Sequence, residues 1–160
     1  MPATRPNEIA VPPVATVLPP EKEQARRFEK ARTAQGLALL EDYVELIDDL
    51  LTSAGEARPT DIARRLGVSH ATAIKCLARL KREGFVQSKP YRGIFLTAEG
   101  SLLAIRARNR HRIVVNLLRA VGVPPEHAEQ DAEGIEHHVS DAALAAFSAF
   151  LEKAKLEKAK

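Results

Sequence analysis

Acidic and imidazole side chains crowd one short run, Asp131-Ala-Glu-Gly-Ile-Glu-His-His-Val-Ser140. On a helix, Glu133, Glu136 and His137 stand at i, i+3 and i+4 and leave one face together. Carboxylates that converge with an imidazole are costly unless a cation sits among them. Oxygen plus nitrogen ligation suits a first-row divalent ion, and no thiol in the run favours a softer one. The alternative is a solvated polar face. Such a trio cannot close a coordination sphere alone, so metal binding needs ligands from elsewhere in the chain. Asp42 and Glu45 stand three residues apart on one helical segment. His111 lies on another that leads straight into the carboxylate-rich run. Each also admits a plain reading, a wet helix face for the former and an ordinary surface or interface histidine for the latter.

The elements that must position these groups are helices. Leu40, Tyr43, Val44, Ile47, Leu50 and Leu51 recur at helical spacing and predict a helix from about Leu37 to Ser53, with Asp42, Glu45 and Asp49 on its other side. A short helix starts near Thr60 with Asp61 in its first turn, and Leu66-Gly67-Val68-Ser69 forms a turn in which Ser69 caps a second helix running to about Glu83. Ile62, Leu66, Val68, Ala73, Cys76, Leu77 and Leu80 then fall at the internal contacts of a helix-turn-helix, with small Ala63 at the crossing.

With those positions buried, rotation by about 100° per residue sends Ala71, Thr72, Lys75, Arg79 and Arg82 outward, beside Ser69 and His70 at the helix start. Cations can meet phosphates or guanine edges there, and small methyl-bearing side chains can meet thymine methyls. Phe85–Lys89 and Gly93–Thr97 are two β-type runs around Pro90-Tyr91-Arg92, a hairpin whose Lys89 and Arg92 are candidate DNA contacts of a wing. Thr97 caps a long helix to about Val121, with Ile105, Ile113, Val114, Leu117 and Leu118 as its apolar side. Pro125 opens the next helix, where Gly134 hints at close backbone approach, and Ser140 caps a last helix packed through Ala143, Leu144, Phe147 and Leu151.

Composition agrees with a mainly α protein: aromatic residues are 4% of the 160 and Trp is absent, so aliphatic side chains supply the packing. The net charge of +3 is modest, so its distribution matters more than its size. Cys76 is the only cysteine, which excludes an intrachain disulfide framework and a thiolate metal cage and fits a reducing cytoplasm. No apolar stretch is long enough for a bilayer, and the Pro-rich start lacks the order of a secretory signal. Residues 1–36 read as an N-terminal extension, largely disordered, although Glu21 to Gln35 are helix formers awaiting a docking partner. Residues 37–97 read as a winged helix-turn-helix DNA-binding domain, and residues 98–160 as a helical metal-binding and dimerisation domain.

The winged helix, the segments YRGIFLTAEG (Tyr91 to Gly100) and NRHRIV (Asn109 to Val114), and DAEGIEHHVS together resemble the manganese-sensing branch of the diphtheria toxin repressor family, from about Leu40 to Phe150. The resemblance implies a metal-responsive repressor that binds a palindromic operator as a homodimer and controls manganese uptake. It maps the family's ligands onto Asp42, Glu45, His111, Glu133, Glu136 and His137. It implies Mn²⁺, two ions per subunit, with Fe²⁺, Zn²⁺, Co²⁺ and Cd²⁺ able to bind in vitro. Asp42 and His111 would lean toward one ion, Glu45 and His137 toward the other, with Glu133 and Glu136 between. Hard carboxylate stands at Asp42 and Glu133, where iron-sensing relatives place sulfur. The extra C-terminal domain of those relatives has no counterpart here, and the residues ahead of the first family helix have no template in the short manganese regulators.

Other readings are a winged-helix regulator gated by iron or by an organic ligand, and, from another class, a carboxylate-bridged metal hydrolase or oxygenase. The sequence shows no separate acid, base or substrate-binding constellation for the latter, so neither an enzyme nor a small organic substrate is expected.

Overall fold

A computed structural model describes residues 18–89 and 93–158. The described residues form six helices and a two-stranded antiparallel hairpin: α1 (Glu21–Ala54), α2 (Pro59–Leu66), α3 (His70–Arg82), β1 (Val86–Lys89), β2 (Gly93–Leu96), α4 (Ala98–Ala120), α5 (Pro125–Ile135) and α6 (Asp141–Lys158), with a 3₁₀ turn at Glu136–His138 between the last two. This is the mainly α architecture with a small β-wing that the periodicity predicts.

α1 is longer than expected. Its apolar half buries Leu40, Tyr43, Val44, Ile47 and Leu50, each large enough that full burial is worth roughly 1.5–3 kcal/mol. Upstream of that half the helix continues without a break to Glu21, so the expectation of a largely disordered 1–36 fails for 21–36. The physical reason is propagation: once Leu40–Leu50 has nucleated the helix, each added Ala, Glu, Gln, Lys or Arg costs little. A Glu23–Arg27 pair one turn apart supports the exposed part.

The helix-turn-helix forms from the expected side chains. Ile62, Ala63, Ala73, Cys76, Leu77 and Leu80 are buried with the α1 core, and Leu66 and Val68 pack against it. Gly67 takes φ 67° to turn the chain, and the Ser69 hydroxyl accepts from the Thr72 amide at 3.1 Å. In the hairpin Val86 pairs with Leu96 and Lys89 with Gly93. Leu96 joins the core while the outer face carries Lys89 over the Phe95 ring. The Ile94 amide donates to the Ala57 carbonyl at 2.9 Å, which lays the α1–α2 loop along the hairpin as a third edge. The hairpin tip, Pro90-Tyr91-Arg92, lies outside the described residues.

α4 begins at the Thr97 cap, whose hydroxyl accepts from the Gly100 amide at 3.1 Å and donates to the Gly84 carbonyl. Its buried side is Leu103, Ala104, Ala107, Val114 and Val115; of the expected stripe Val114 is buried and Leu118 packs beside it, whereas Ile105 is exposed. The small Ala104 and Ala107 let α4 lie close against α1, a role that a search for large apolar residues overlooks. Val114, Val115 and Ala132 form a second core with Leu118, Val139 and Leu144. The Ser140 hydroxyl accepts from the Ala143 amide at the start of α6, as the spacing predicts. Gly134, in contrast, has nothing within 4 Å of where a Cβ would stand, so it marks no close approach.

Candidate metal centre

α1, α4 and the end of α5 meet at the junction of the two cores and bring most of the candidate ligands together. Glu133 is the last of them on regular helix. α5 ends at Ile135, and Glu136 and His137 occupy the 3₁₀ turn. The uniform helical face expected for Glu133, Glu136 and His137 therefore does not form. The tighter turn lets Glu136 stay inward while His137 swings toward α1. Arg110 of α4 holds that turn in place, donating to the carbonyls of Val139 at 3.0 Å and Glu136 at 3.4 Å.

Glu136 is the centre of the arrangement. It is buried, with one carboxylate oxygen 2.5 Å from His111 Nδ1 and the other 3.5 Å from His137 Nε2. His111 also faces Glu133 at 3.7 Å and, through Nε2, Glu129 at 3.1 Å. His137 sets Nδ1 2.7 Å from Glu41 and Nε2 3.1 Å from Asp42, both on α1. Burial pushes the Glu136 carboxyl up against the opposing pull of His111 and His137. Hydrogen bonding to Asp42 and then Glu41 raises the His137 imidazole to about 10, against its burial. For His111, burial favours the neutral ring, but its bonds to Glu129 and Glu136 outweigh that and the net shift is upward.

Glu45 is placed differently. Arg108 of α4 approaches it at 3.9 Å and forks onto Asp48 at 3.0 Å and Asp49 at 2.7 Å. Burial pushes the Glu45 carboxyl up, and Arg108 partly offsets this. Asp42 pairs with His137 and not with His111. The reason is the 3₁₀ turn, which aims His137 at the α1 residues one turn before Glu45.

The donor chemistry fits a divalent cation. His111, Glu133 and Glu136 each present a ligand atom within 4.8 Å of the other two, and the surrounding donors are carboxylates and an imidazole with no thiol. Sequence reasoning missed Glu41, Glu129, Arg108 and Arg110. Glu41 adjoins Asp42 and is a charged residue buried on an otherwise apolar side, but only the fold reveals its partner.

On the DNA-binding side, His70, Ala71, Thr72, Lys75 and Arg82 are exposed along α3. The Ser69 hydroxyl is engaged with Thr72, and Arg79 turns inward to Glu83 Oε1 at 2.7 Å and the Gly36 carbonyl at 3.3 Å. Lys89 is exposed on β1, and Arg92 lies outside the described residues. A cleft of about 850 Å³ opens between α4 and α6, where Asn109, Ile113, Asn116 and Leu151 line it. It is separate from the metal cluster.

Two family models match the chain from residue 38 onward: the iron dependent repressor N-terminal DNA binding domain matches residues 38–94, and the iron dependent repressor metal binding and dimerisation domain matches residues 97–157. The chain belongs to the iron-dependent repressor family. Among this family's members it is 51% identical to the transcriptional regulator MntR of Escherichia coli O157:H7 over 86% of this chain and 89% of that protein. It is 38% identical to the HTH-type transcriptional regulator MntR of Listeria monocytogenes over 63% of this chain and 71% of that protein. The solved structure of the manganese regulator SloR superposes with a TM-score of 0.64 at 27% identity, over 71% of this chain and 53% of that one. A manganese-dependent transcriptional repressor complex with manganese superposes at 0.60 with 28% identity, over 71% and 52%. As an iron-dependent repressor family member, the chain is a transcriptional regulator with a winged-helix DNA-binding domain and a metal-binding, dimerisation domain. Among the described residues no helix is long and apolar enough to cross a membrane.

Proposed function

We propose that this regulator is a cytoplasmic, manganese-responsive repressor that binds a palindromic operator as a homodimer and controls manganese uptake genes. The observation that carries the reading is Glu136, whose two oxygens face the His111 and His137 imidazoles, while His137 in turn reaches Glu41 and Asp42 of α1. His111, Glu133, Glu136, His137, Asp42 and Glu45 would hold Mn²⁺, with room in the donor set for two ions per subunit. The bound cation supplies the positive charge that reconciles this many carboxylates.

The protein's own part is to convert side-chain position into domain position. Tyr43, Val44 and Ile47 of α1 are embedded in the helix-turn-helix core, so holding Asp42 against His137 fixes where that domain stands relative to α5. Arg108 competes for Glu45, tying it to α4 beside Asp48 and Asp49. Apolar Ile113, Leu151 and Phe150 are partly or largely exposed on α4 and α6, which supports dimerisation through those helices. In a dimer the spacing of the two α3 helices sets the match to operator half-sites.

The test is fluorescence anisotropy with a duplex selected by the manganese-loaded protein from a randomised library. Manganese should tighten binding by roughly 5–150-fold, the usual range for such coupling. Equal affinity in MnCl₂ and in chelator would refute the reading. Iron, zinc and calcium in the same assay test selectivity.

A further inference from the structure

The N-terminal half of α1 lies ahead of residue 38, where the family's DNA-binding model begins, and the regulator reading gives it no task. It is an exposed helix with few apolar contacts, yet its surface is ordered. Lys22, Arg26, Lys30, Thr33, Leu37, Leu40, Val44 and Ile47 follow one another at intervals of three and four residues. At about 100° per residue they form a single stripe. The later members of this stripe are the buried face that packs the helix-turn-helix core, so the earlier members point to the same side of α1 and overhang the domain beyond its core.

Two observations say what lies on that side. The Arg79 guanidinium of α3 donates to the Gly36 carbonyl at 3.3 Å, which fixes the end of the core half of α1 against the recognition helix, on the residue row that otherwise faces outward. Upstream of this point the stripe is cationic. Among the described residues no carboxylate lies within salt-bridge distance of Lys22, Arg26 or Lys30, while the neighbouring Arg27, off the stripe, is paired with Glu23. Glu29 falls on the stripe and lowers its charge without abolishing it, since the cations Lys22, Arg26 and Lys30 outnumber it. The three cations are spaced about 6 Å apart along the axis, a ladder that can follow a polyanionic strand.

We propose that Lys22, Arg26 and Lys30 form an arm that binds the phosphate backbone of duplex DNA flanking the operator half-site read by α3. The inference rests on the regulator reading above. The arm adds affinity and salt dependence but no base specificity, because it meets phosphates alone. It leaves the metal response intact, because none of its residues touches the junction.

The test uses the full-length manganese-loaded protein and the selected duplex in two lengths, with about ten flanking base pairs on each side and with the flanks trimmed. Replacing the stripe (Lys22→Ala, Arg26→Ala, Lys30→Ala) should weaken binding to the long duplex and make the slope of log affinity against log salt shallower by roughly 0.9 per lost contact. The difference between variant and wild type should vanish on the trimmed duplex. A control that lowers the charge of the opposite face (Ala31→Glu, Gln35→Glu) should leave the slope nearer to wild type. The substitutions favour helix, so circular dichroism should show α1 retained. Equal slopes for stripe variant and wild type on the long duplex overturn the proposal. So does a loss confined to dimer stability in sedimentation, which would assign the arm to the partner subunit. If wild-type protein selects no duplex with manganese, the regulator reading itself has failed.

Discussion

His137 Nδ1 lies 2.7 Å from the Glu41 carboxylate, across a sequence separation of 96 residues, and both side chains are buried. With Nδ1 so engaged, Nε2 is directed to Asp42 and Glu136. A carboxylate behind an imidazole fixes the ring's orientation and tautomer and strengthens it as a ligand. Glu41→Gln keeps the shape but removes the charge. It should weaken manganese affinity by roughly 10–100-fold with the fold retained. Calorimetric titration of the variant with MnCl₂ checks this, and wild-type affinity would show that Glu41 is merely buried.

Glu136→Ala removes the group shared by His111 and His137. The expected outcome is loss of manganese-enhanced operator binding while the metal-free protein still folds and dimerises. A gel shift with and without MnCl₂, alongside sedimentation, reads both halves. A preserved manganese response would mean that the two imidazoles do not depend on a common carboxylate.

Lys75 and Arg79 stand on the same face of α3 but in different surroundings. Lys75 is exposed, so Lys75→Ala should weaken DNA binding and reduce the salt slope by about 0.9, with metal affinity unchanged. Arg79 is held by Glu83 and the Gly36 carbonyl, so Arg79→Ala should also loosen α1. Hydrogen exchange near Gly36 should quicken in that variant and not in Lys75→Ala; indistinguishable exchange in the two would contradict the tie.

Two helical glycines should respond with opposite signs to the same substitution. In α5, a Cβ on Gly134 meets nothing within 4 Å, so Gly134→Ala should stabilise the metal-free protein by up to about 1 kcal/mol. In α4, a Cβ on Gly100 would stand 2.0 Å from the Phe85 carbonyl oxygen, so Gly100→Ala must push the first turn away from the hairpin. The expected cost is about 1–3 kcal/mol. Chemical denaturation of the two variants decides, and a stabilised Gly100→Ala would show that the turn yields easily.

Much of this architecture is local and therefore readable in order. The three- and four-residue spacing of Leu40, Val44 and Ile47, the caps at Ser69, Thr97 and Ser140, and the alternation around Phe95 and Leu96 depend on neighbours within a turn or a strand. Short-range geometry does not change with the rest of the fold. The donor types at Asp42, His111, Glu133 and Glu136 were legible for the same reason: chemistry belongs to the residue.

What required the tertiary structure was direction and partnership. Helical rotation placed His137 beside Glu136, whereas the 3₁₀ turn held by Arg110 sends it to α1, a result set by carbonyls that Arg110 reaches from another helix. Helical rotation points Arg79 outward, whereas the packed chain sets the Gly36 carbonyl against its guanidinium. Glu41 and Glu129 gained meaning only from the imidazoles opposite them. Sequence by itself determined which groups are present and which local elements carry them. Only the packed chain decided which of them meet, because a pairing between distant residues depends on the path of all the backbone between them.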